Sequence, residues 1–360
     1  MSAADSPIAS ALLDWHARAG RHDLPWQQPP RTPYRVWVSE IMLQQTQVAT
    51  VVPYYVRFLE RFPDVRSLAA SEVDEVLHLW SGLGYYARAR NLHRAARCVC
   101  DEFGGELPRD FTALATLPGI GRSTAGAILA LAFGERRPIL DGNVRRVLSR
   151  CFGVAGNSAQ ASMAKRLWQL AERCTPAARV DGYTQAIMDL GATVCLRRKP
   201  LCLQCPLAEA CVARRTGRQH ELLAPRRGRA RRLRRVHMVL ALNREGQVLL
   251  ERRPESGVWG GLWCPPEFAT ATAARAFVRT TLGEAALAPQ PLGAVEHAFT
   301  HFDLRITPLL VRCAGAGTVM EEGASLWYNI RAPARIGLPA PITALLSRLA
   351  SESLFDARGE

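Results

Sequence analysis

Lysine is nearly absent from this chain. Of 46 basic residues only Lys165 and Lys199 are lysines. Chemistry that needs a side-chain amine as nucleophile therefore has two candidates, because arginine stays protonated. No apolar run is long enough for a membrane span, and the opening MSAADSPIAS has neither the basic nor the apolar region of a signal peptide. A cytoplasmic protein is expected. Ten cysteines in that compartment point to metal ligands and buried thiols rather than disulfides. There is no internal repeat.

At 360 residues the chain suggests two domains, each able to bury a core. The net charge of +14 is unevenly spread. From Val236 onward 11 arginines face 12 acidic residues, so the whole excess lies in the first part, which is built to meet phosphate. Residues 1–216 read as helical, with apolar residues at helical spacing in 34–60, 72–80, 88–103, 123–132 and 161–173. Asp110 and Ser71 stand where N-caps would. Residues 217–235 read as a solvated linker, with seven arginines among residues 226–235. From His237 the pattern changes to strands, HMVLALN, QVLLERR and HFDLRITPLLVR, giving an α+β domain over 236–355.

Four cysteines lie within seventeen residues, as Cys195-x6-Cys202-x2-Cys205-x5-Cys211, with Arg197, Arg198 and Lys199 inside the first interval. Four thiolates so close suit one metal centre, a tetrahedral zinc or a cubane iron–sulfur cluster. The other six cysteines read as core or incidental. Leu117-Pro-Gly-Ile-Gly121 is a turn between helical stretches, where Gly119 and Gly121 permit positive φ and expose backbone N–H groups to an anion. Twenty residues on, Asp141 precedes Gly142-Asn-Val-Arg-Arg and suits a helix N-cap as well as a functional carboxylate. Glu40 stands beside Ile41, Met42 and Leu43, where a carboxylate is costly without work or a partner; Gln44 and Gln47 fall roughly on its helical face.

Hairpin, aspartate and four-cysteine cluster in this order resemble the helix-hairpin-helix DNA glycosylases of the endonuclease III superfamily. The stretches Val38-Ser-Glu-Ile-Met-Leu-Gln-Gln-Thr-Gln-Val48, Trp80-Ser-Gly-Leu-Gly-Tyr-Tyr-Ala-Arg-Ala-Arg-Asn91 and Leu24-Pro-Trp-Gln27 narrow the resemblance to the MutY family of adenine glycosylases, over nearly the whole chain. The resemblance implies an all-α glycosylase domain with an iron–sulfur loop, followed by a Nudix-like domain. It implies one 4Fe–4S cluster on Cys195, Cys202, Cys205 and Cys211, and a monomer acting on duplex DNA that holds adenine opposite 8-oxoguanine or guanine. It makes Glu40 the proton donor to adenine N7, Asp141 the anion at C1′, and Asn143 the group that orients acid or water. Gln45 and Tyr85 match the wedge residues, with Leu83 nearby. Thr46 is set against the opposite base, and Trp26 and Gln185 against the adenine. Gly119, Gly121, Arg197 and Lys199 are expected at phosphate. Phe299-Thr-His301 matches the loop that senses 8-oxoguanine.

Two departures carry information. Bifunctional relatives have a lysine after the hairpin, and here that position is Ser123, which implies hydrolysis without a Schiff base. The second domain lacks an R-E-x2-E-E cluster for magnesium, so diphosphohydrolase activity is not expected. Competing readings are a glycosylase/lyase of the same superfamily, opposed by Ser123, and a redox-sensing DNA-binding protein, in which Glu40→Gln would leave function intact. A Nudix hydrolase on a DNA tether is opposed by the missing carboxylates.

Overall fold

The computed structural model describes residues 6, 8–156, 160–222, 231–283, 288–313 and 325–356. Its contacts form two units, Met1–Ala70 with Asn91–Arg227, and Ser71–Arg90 with Gly228–Glu360. The excursion 71–90 was not legible in the sequence, because long-range bonds hold it. Asp74 accepts from Trp263 Nε1 at 3.1 Å and from Arg252 Nη2 at 3.2 Å. Ser81 donates to the Leu338 carbonyl at 2.8 Å, and Arg90 to the carbonyls of Gly260 and Glu255.

Helices of the chain up to residue 215 are α1 (Ala9–Ala19), α2 (Pro33–Leu43), α3 (Val48–Arg61), α4 (Val65–Ala69), α5 (Val73–Trp80), α6 (Ala87–Phe103), α7 (Phe111–Thr116), α8 (Arg122–Phe133), α9 (Gly142–Cys151), α10 (Ala161–Cys174), α11 (Val180–Asp189) and α12 (Val212–Arg215). The expected helix over 34–60 is two helices, broken at Gln45, whose φ of 59° is left-handed. That break overturns the placing of Gln44 and Gln47 on the helical face of Glu40. Gln44 turns instead to the hairpin, where its amide donates to Thr124 Oγ1 at 3.2 Å. Asp110 caps α7 through the Ala113 N–H, but Glu72 rather than Ser71 occupies the N-cap of α5 and makes no side-chain cap bond. Between α1, α9, α10 and α11 lies a core that includes Leu12, Val147, Leu148, Leu167 and Ile187. Among the described residues no helix is long and apolar enough to cross a membrane.

The second unit holds a mixed sheet of β1 (Arg232–Leu242), β2 (Gln247–Arg252), β3 (Trp263–Cys264), β4 (Glu267–Phe268), β5 (Gln290–Pro291), β6 (Val295–Ala298), β7 (Phe302–Arg312) and β8 (Ser325–Asn329), with α13 (Ala271–Phe277) and α14 (Ala340–Asp356). Its path is β3-β2-β1-β7-β5, with β4 on β1, β6 on β7 and β8 on β2. The long central pair β1 and β7 runs parallel; alternate residues Val239, Ala241, Leu309 and Val311 pack with Ala274 and Val278. β1 begins at Arg232, so the last residues of the expected linker are strand; residues 223–230 of that linker lie outside the described residues.

Candidate active site

Glu40 enters from the last turn of α2, and Asp141 from the N-cap of α9. Their environments differ in a way that assigns a proton. Asp141 Oδ1 accepts from the Val144 N–H at 2.8 Å and Oδ2 from the Asn143 N–H at 3.2 Å. Arg145 and Arg146 add positive charge. Burial still raises the Asp141 carboxyl above the ordinary aspartate range, against those bonds and charges. Glu40 is half-buried and, among the described residues, receives no hydrogen bond. Burial first, and the Asp141 charge second, push its carboxyl up to about 8, with Arg31 opposing. Bonds that favour the carboxylate all go to Asp141, so of the two Glu40 holds the proton at neutral pH. Asp141 is thus both cap and candidate anion, as its position before Gly142 suggests.

Asn143 is pinned rather than free. Its Oδ1 accepts from Arg146 Nη2 at 2.7 Å, which turns the amide nitrogen away from Arg146. Arg146 also donates to the carbonyls of Gly191 and Cys195, both at 2.7 Å. A Cβ on Gly191 would stand 2.6 Å from Asn143 Cβ, so only glycine admits this approach.

Gln185 and Trp26 were expected from the sequence, but the network that holds Gln185 was not. Asp181, Gln185 and Asp189 recur at four-residue spacing and share one face of α11. Asp189 is fully buried and ringed by donors: the Arg21 N–H at 3.0 Å, Arg21 Nε at 2.9 Å, and Gln185 Nε2 at 3.0 Å. His16 Nε2 lies 3.3 Å away, without hydrogen-bond alignment. Burial alone would raise the Asp189 carboxyl, but His16 and Arg21 outweigh it and hold the group below its ordinary value. Because a carboxylate only accepts, it draws the amide NH2 of Gln185 and leaves Oε1 as the remaining acceptor. Arg31 ties this helix to Glu40: it approaches Asp181 at 3.9 Å and acts on the Glu40 charge, and its buried Nε has no partner among the described residues. Trp26 is buried edge-to-face on Tyr55, with centroids 5.4 Å apart. The one available signal was the acid spacing at 181 and 189; the Arg21 contact, 168 residues away from Asp189, left none.

The hairpin is built as its residues dictate, with one correction. Ile120 N–H bonds the Leu117 carbonyl at 3.1 Å, closing a turn with Pro118 second and Gly119 third, at φ 80°. Gly121 has an ordinary extended backbone (φ −91°) as the N-cap of α8, so only Gly119 needs positive φ. With no side-chain cap there, the first N–H groups of α8 remain for an anion. Ser123 Oγ is engaged, accepting from the Leu140 N–H at 2.9 Å. Gln45 is exposed at its left-handed turn, while Thr46 donates to the Gln44 carbonyl at 3.4 Å.

Cys195, Cys202, Cys205 and Cys211 line a single cavity with Val147, Arg150, Leu190 and Leu207. Among the described residues no three Cys, His, Asp or Glu side chains converge closely enough to hold one metal ion. Arg150, itself buried, donates to Cys195 Sγ at 3.4 Å and to the Leu196 carbonyl at 2.7 Å, and its buried Nε has no partner among the described residues. Arg197, Arg198 and Lys199 are exposed.

In the other unit the turn that carries Tyr85 and the β6–β7 hairpin meet. Tyr85 is 46 % exposed with φ 50°, whereas Leu83, expected as a DNA contact beside it, is buried. Tyr85 Oη lies 3.1 Å from Thr300 Oγ1. Thr300 and His301 form the exposed tip between β6 and β7, closed by a Phe299 N–H to Phe302 carbonyl bond at 2.9 Å. Phe299 stacks on Phe302 at 4.6 Å and also meets His297 and Trp259. Glu267 is taken up by Arg234 at 2.6 Å and Arg253 at 2.8 Å.

A family model described as HhH-GPD superfamily base excision DNA repair protein matches residues 38–173, and one described as NUDIX domain matches residues 237–348. The chain is 37% identical over 340 residues to an adenine DNA glycosylase of Buchnera aphidicola, covering 94% of this chain and 96% of that one. It is 45% identical over 222 residues to an adenine DNA glycosylase of Homo sapiens, covering 59% of this chain and 40% of that one. A thermostable thymine-DNA glycosylase superposes with TM-score 0.52 at 30% identity, over 58% of this chain and 95% of that one. An endonuclease III trapped as a covalent intermediate with DNA superposes with TM-score 0.50 at 22% identity, over 60% of this chain and 99% of that one, a likeness of fold.

Proposed function

The chain belongs to the adenine DNA glycosylase family, and from that premise we propose that it hydrolyses the N-glycosidic bond of adenine paired with 8-oxoguanine, or with guanine, in duplex DNA, and leaves the strand intact. The observation that carries the reading is the unequal pair of carboxyls, Glu40 pushed up to about 8 and Asp141 fixed by two backbone N–H bonds. Loss of a purine needs a proton on the leaving base and an anion near the sugar as it gains oxocarbenium charge. Glu40 gives its proton to N7, and the C1′–N9 electron pair departs with adenine. Asp141 faces the cation. Glu40, now a carboxylate, takes a proton from the water that attacks C1′, aided by the amide nitrogen of Asn143. Gln185, turned by Asp189, offers Oε1 to the exocyclic amine of adenine, and Trp26 walls the pocket. Ser123, bonded to Leu140, supplies no amine, so no Schiff base forms.

A base inside a duplex must be flipped out and its space filled. Gln45 and Tyr85, both exposed at left-handed turns, suit the wedge, and Thr46 the opposite base. Gly119 and the start of α8, with Arg197 and Lys199, suit phosphates. Phe299, Thr300 and His301 suit 8-oxoguanine, within a recognition domain over 236–355. The protein acts as a monomer on DNA. Glu267, held by two arginines, does not suit magnesium.

The four cysteines suit one 4Fe–4S cluster. They line one cavity, and the Nε–H of Arg150, without a partner among the described residues, suits an anionic guest there. When bound, such a cluster would be held by Cys195, Cys202, Cys205 and Cys211 and would clamp residues 195–211. Purified protein should be brown and absorb in the visible blue, and Cys202→Ser should lower that absorbance with the iron content. A colourless, zinc-loaded protein would overturn the cluster.

Single-turnover cleavage of duplexes with adenine opposite 8-oxoguanine, guanine or thymine, read with and without alkali, tests the whole reading. Adenine loss opposite 8-oxoguanine that becomes a strand break only after alkali is the expected result. Breaks without alkali would restore the lyase, and no adenine release from cluster-loaded protein would restore the sensor.

A further inference from the structure

Five consecutive positions, 231–235, carry four arginines, and the fold gives each a different environment. Arg231 is spent on Asp303 at 3.1 Å and Arg234 on Glu267 at 2.6 Å. Arg235 stands in register opposite Arg305 on β7. The Arg232 side chain is exposed and has no ion-pair or hydrogen-bond partner among the described residues. Its register neighbour across the parallel ladder is Phe302. Neighbours in register share a face, and alternation puts Arg235 on the other. Phe302 in turn stacks at 4.6 Å on Phe299, next to the Thr300–His301 tip. An uncommitted guanidinium therefore stands on the reading face, one strand over from the residues that would meet the base.

We propose that Arg232 binds a DNA backbone phosphate flanking the base read by the Phe299–His301 hairpin. The inference rests on the reading of that hairpin given above. A tip that touches a base lies within a few ångströms of the phosphates on either side of it. Arg232 is the only arginine of residues 231–235 that is both free of a carboxylate among the described residues and on that face. Arginine is suited to the task by its planar fork of donors, which matches phosphate oxygens two at a time.

The test is equilibrium binding of full-length, cluster-loaded protein to a duplex with an uncleavable adenine analogue opposite 8-oxoguanine, across 50–200 mM salt, with a guanine duplex alongside. Arg232→Ala should weaken binding several-fold at the lower salt and reduce the slope of log K against log salt by about 0.9, one phosphate's share. Arg232→Lys should retain most of the slope, and Arg235→Ala should leave it unchanged. An unaltered slope in Arg232→Ala, or an equal drop in Arg235→Ala, overturns the proposal while the hairpin reading stands. If the wild-type protein does not prefer the 8-oxoguanine duplex, the hairpin reading falls and this proposal falls with it.

Discussion

Glu40→Gln is expected to lower single-turnover adenine release by about 10²–10⁴-fold, the usual worth of a positioned general acid. Glutamine keeps the shape and removes the transferable proton. The pH profile supplies a sharper check. On the proposed mechanism the active form is the protonated one, and burial pushes this carboxyl up to about 8, so the wild-type rate should fall as pH rises through that value. Stability should fall in the same direction. A group with a raised folded-state pKa binds its proton more tightly when folded. Its contribution is complete below the ordinary glutamate value and shrinks as pH rises toward 8. Glutamine avoids that loss, so the variant should be at least as stable as wild type at pH 8 by thermal denaturation. An inactive but no less stable protein marks a carboxyl kept for chemistry. A variant with full activity, or one that is inactive because it unfolds, would sink the assignment.

The second large effect concerns folding. Asp189→Ala removes a fully buried carboxylate and strands Arg21, which sends it three donors, beside His16. Breaking one side of a buried ion pair typically costs about 3–5 kcal/mol, because the remaining charge is left uncompensated. Urea denaturation should show a loss in that range. Its pH dependence has a defined sign. The folded-state pKa is depressed, so the stabilisation is present above the ordinary aspartate value and is lost as pH falls through the lower folded one. The gap between wild type and Asp189→Ala should therefore close on acidification. Asp189→Asn should keep more stability but let the Gln185 amide reverse, so it should impair adenine release more than folding. A loss below about 1 kcal/mol in the alanine variant would show that the network is not a keystone of the fold.

What the sequence determined by itself was local. The hairpin could be read because Pro118 and Gly119 fix a turn within four residues, whatever surrounds it. Asp141 could be read as a cap because Asn143 and Val144 follow directly, and the four cysteines, close in sequence, line one cavity. The change from helical to alternating periodicity at His237 marked the second fold, although strand pairing drew β1 back to Arg232. Tertiary structure decided what depends on burial and on distant partners. Glu40 holds a proton only because packing removes water from it and sets Asp141 near. Gln185 presents an acceptor only because Asp189 takes its donor, and Asp189 lies below the ordinary aspartate value only because His16 and Arg21, the latter from 168 residues away, outweigh its burial. A run of arginines looks uniform in sequence. Strand register and two carboxylates set Arg232 apart, because pairing and facing are properties of neighbouring strands, not of the run itself.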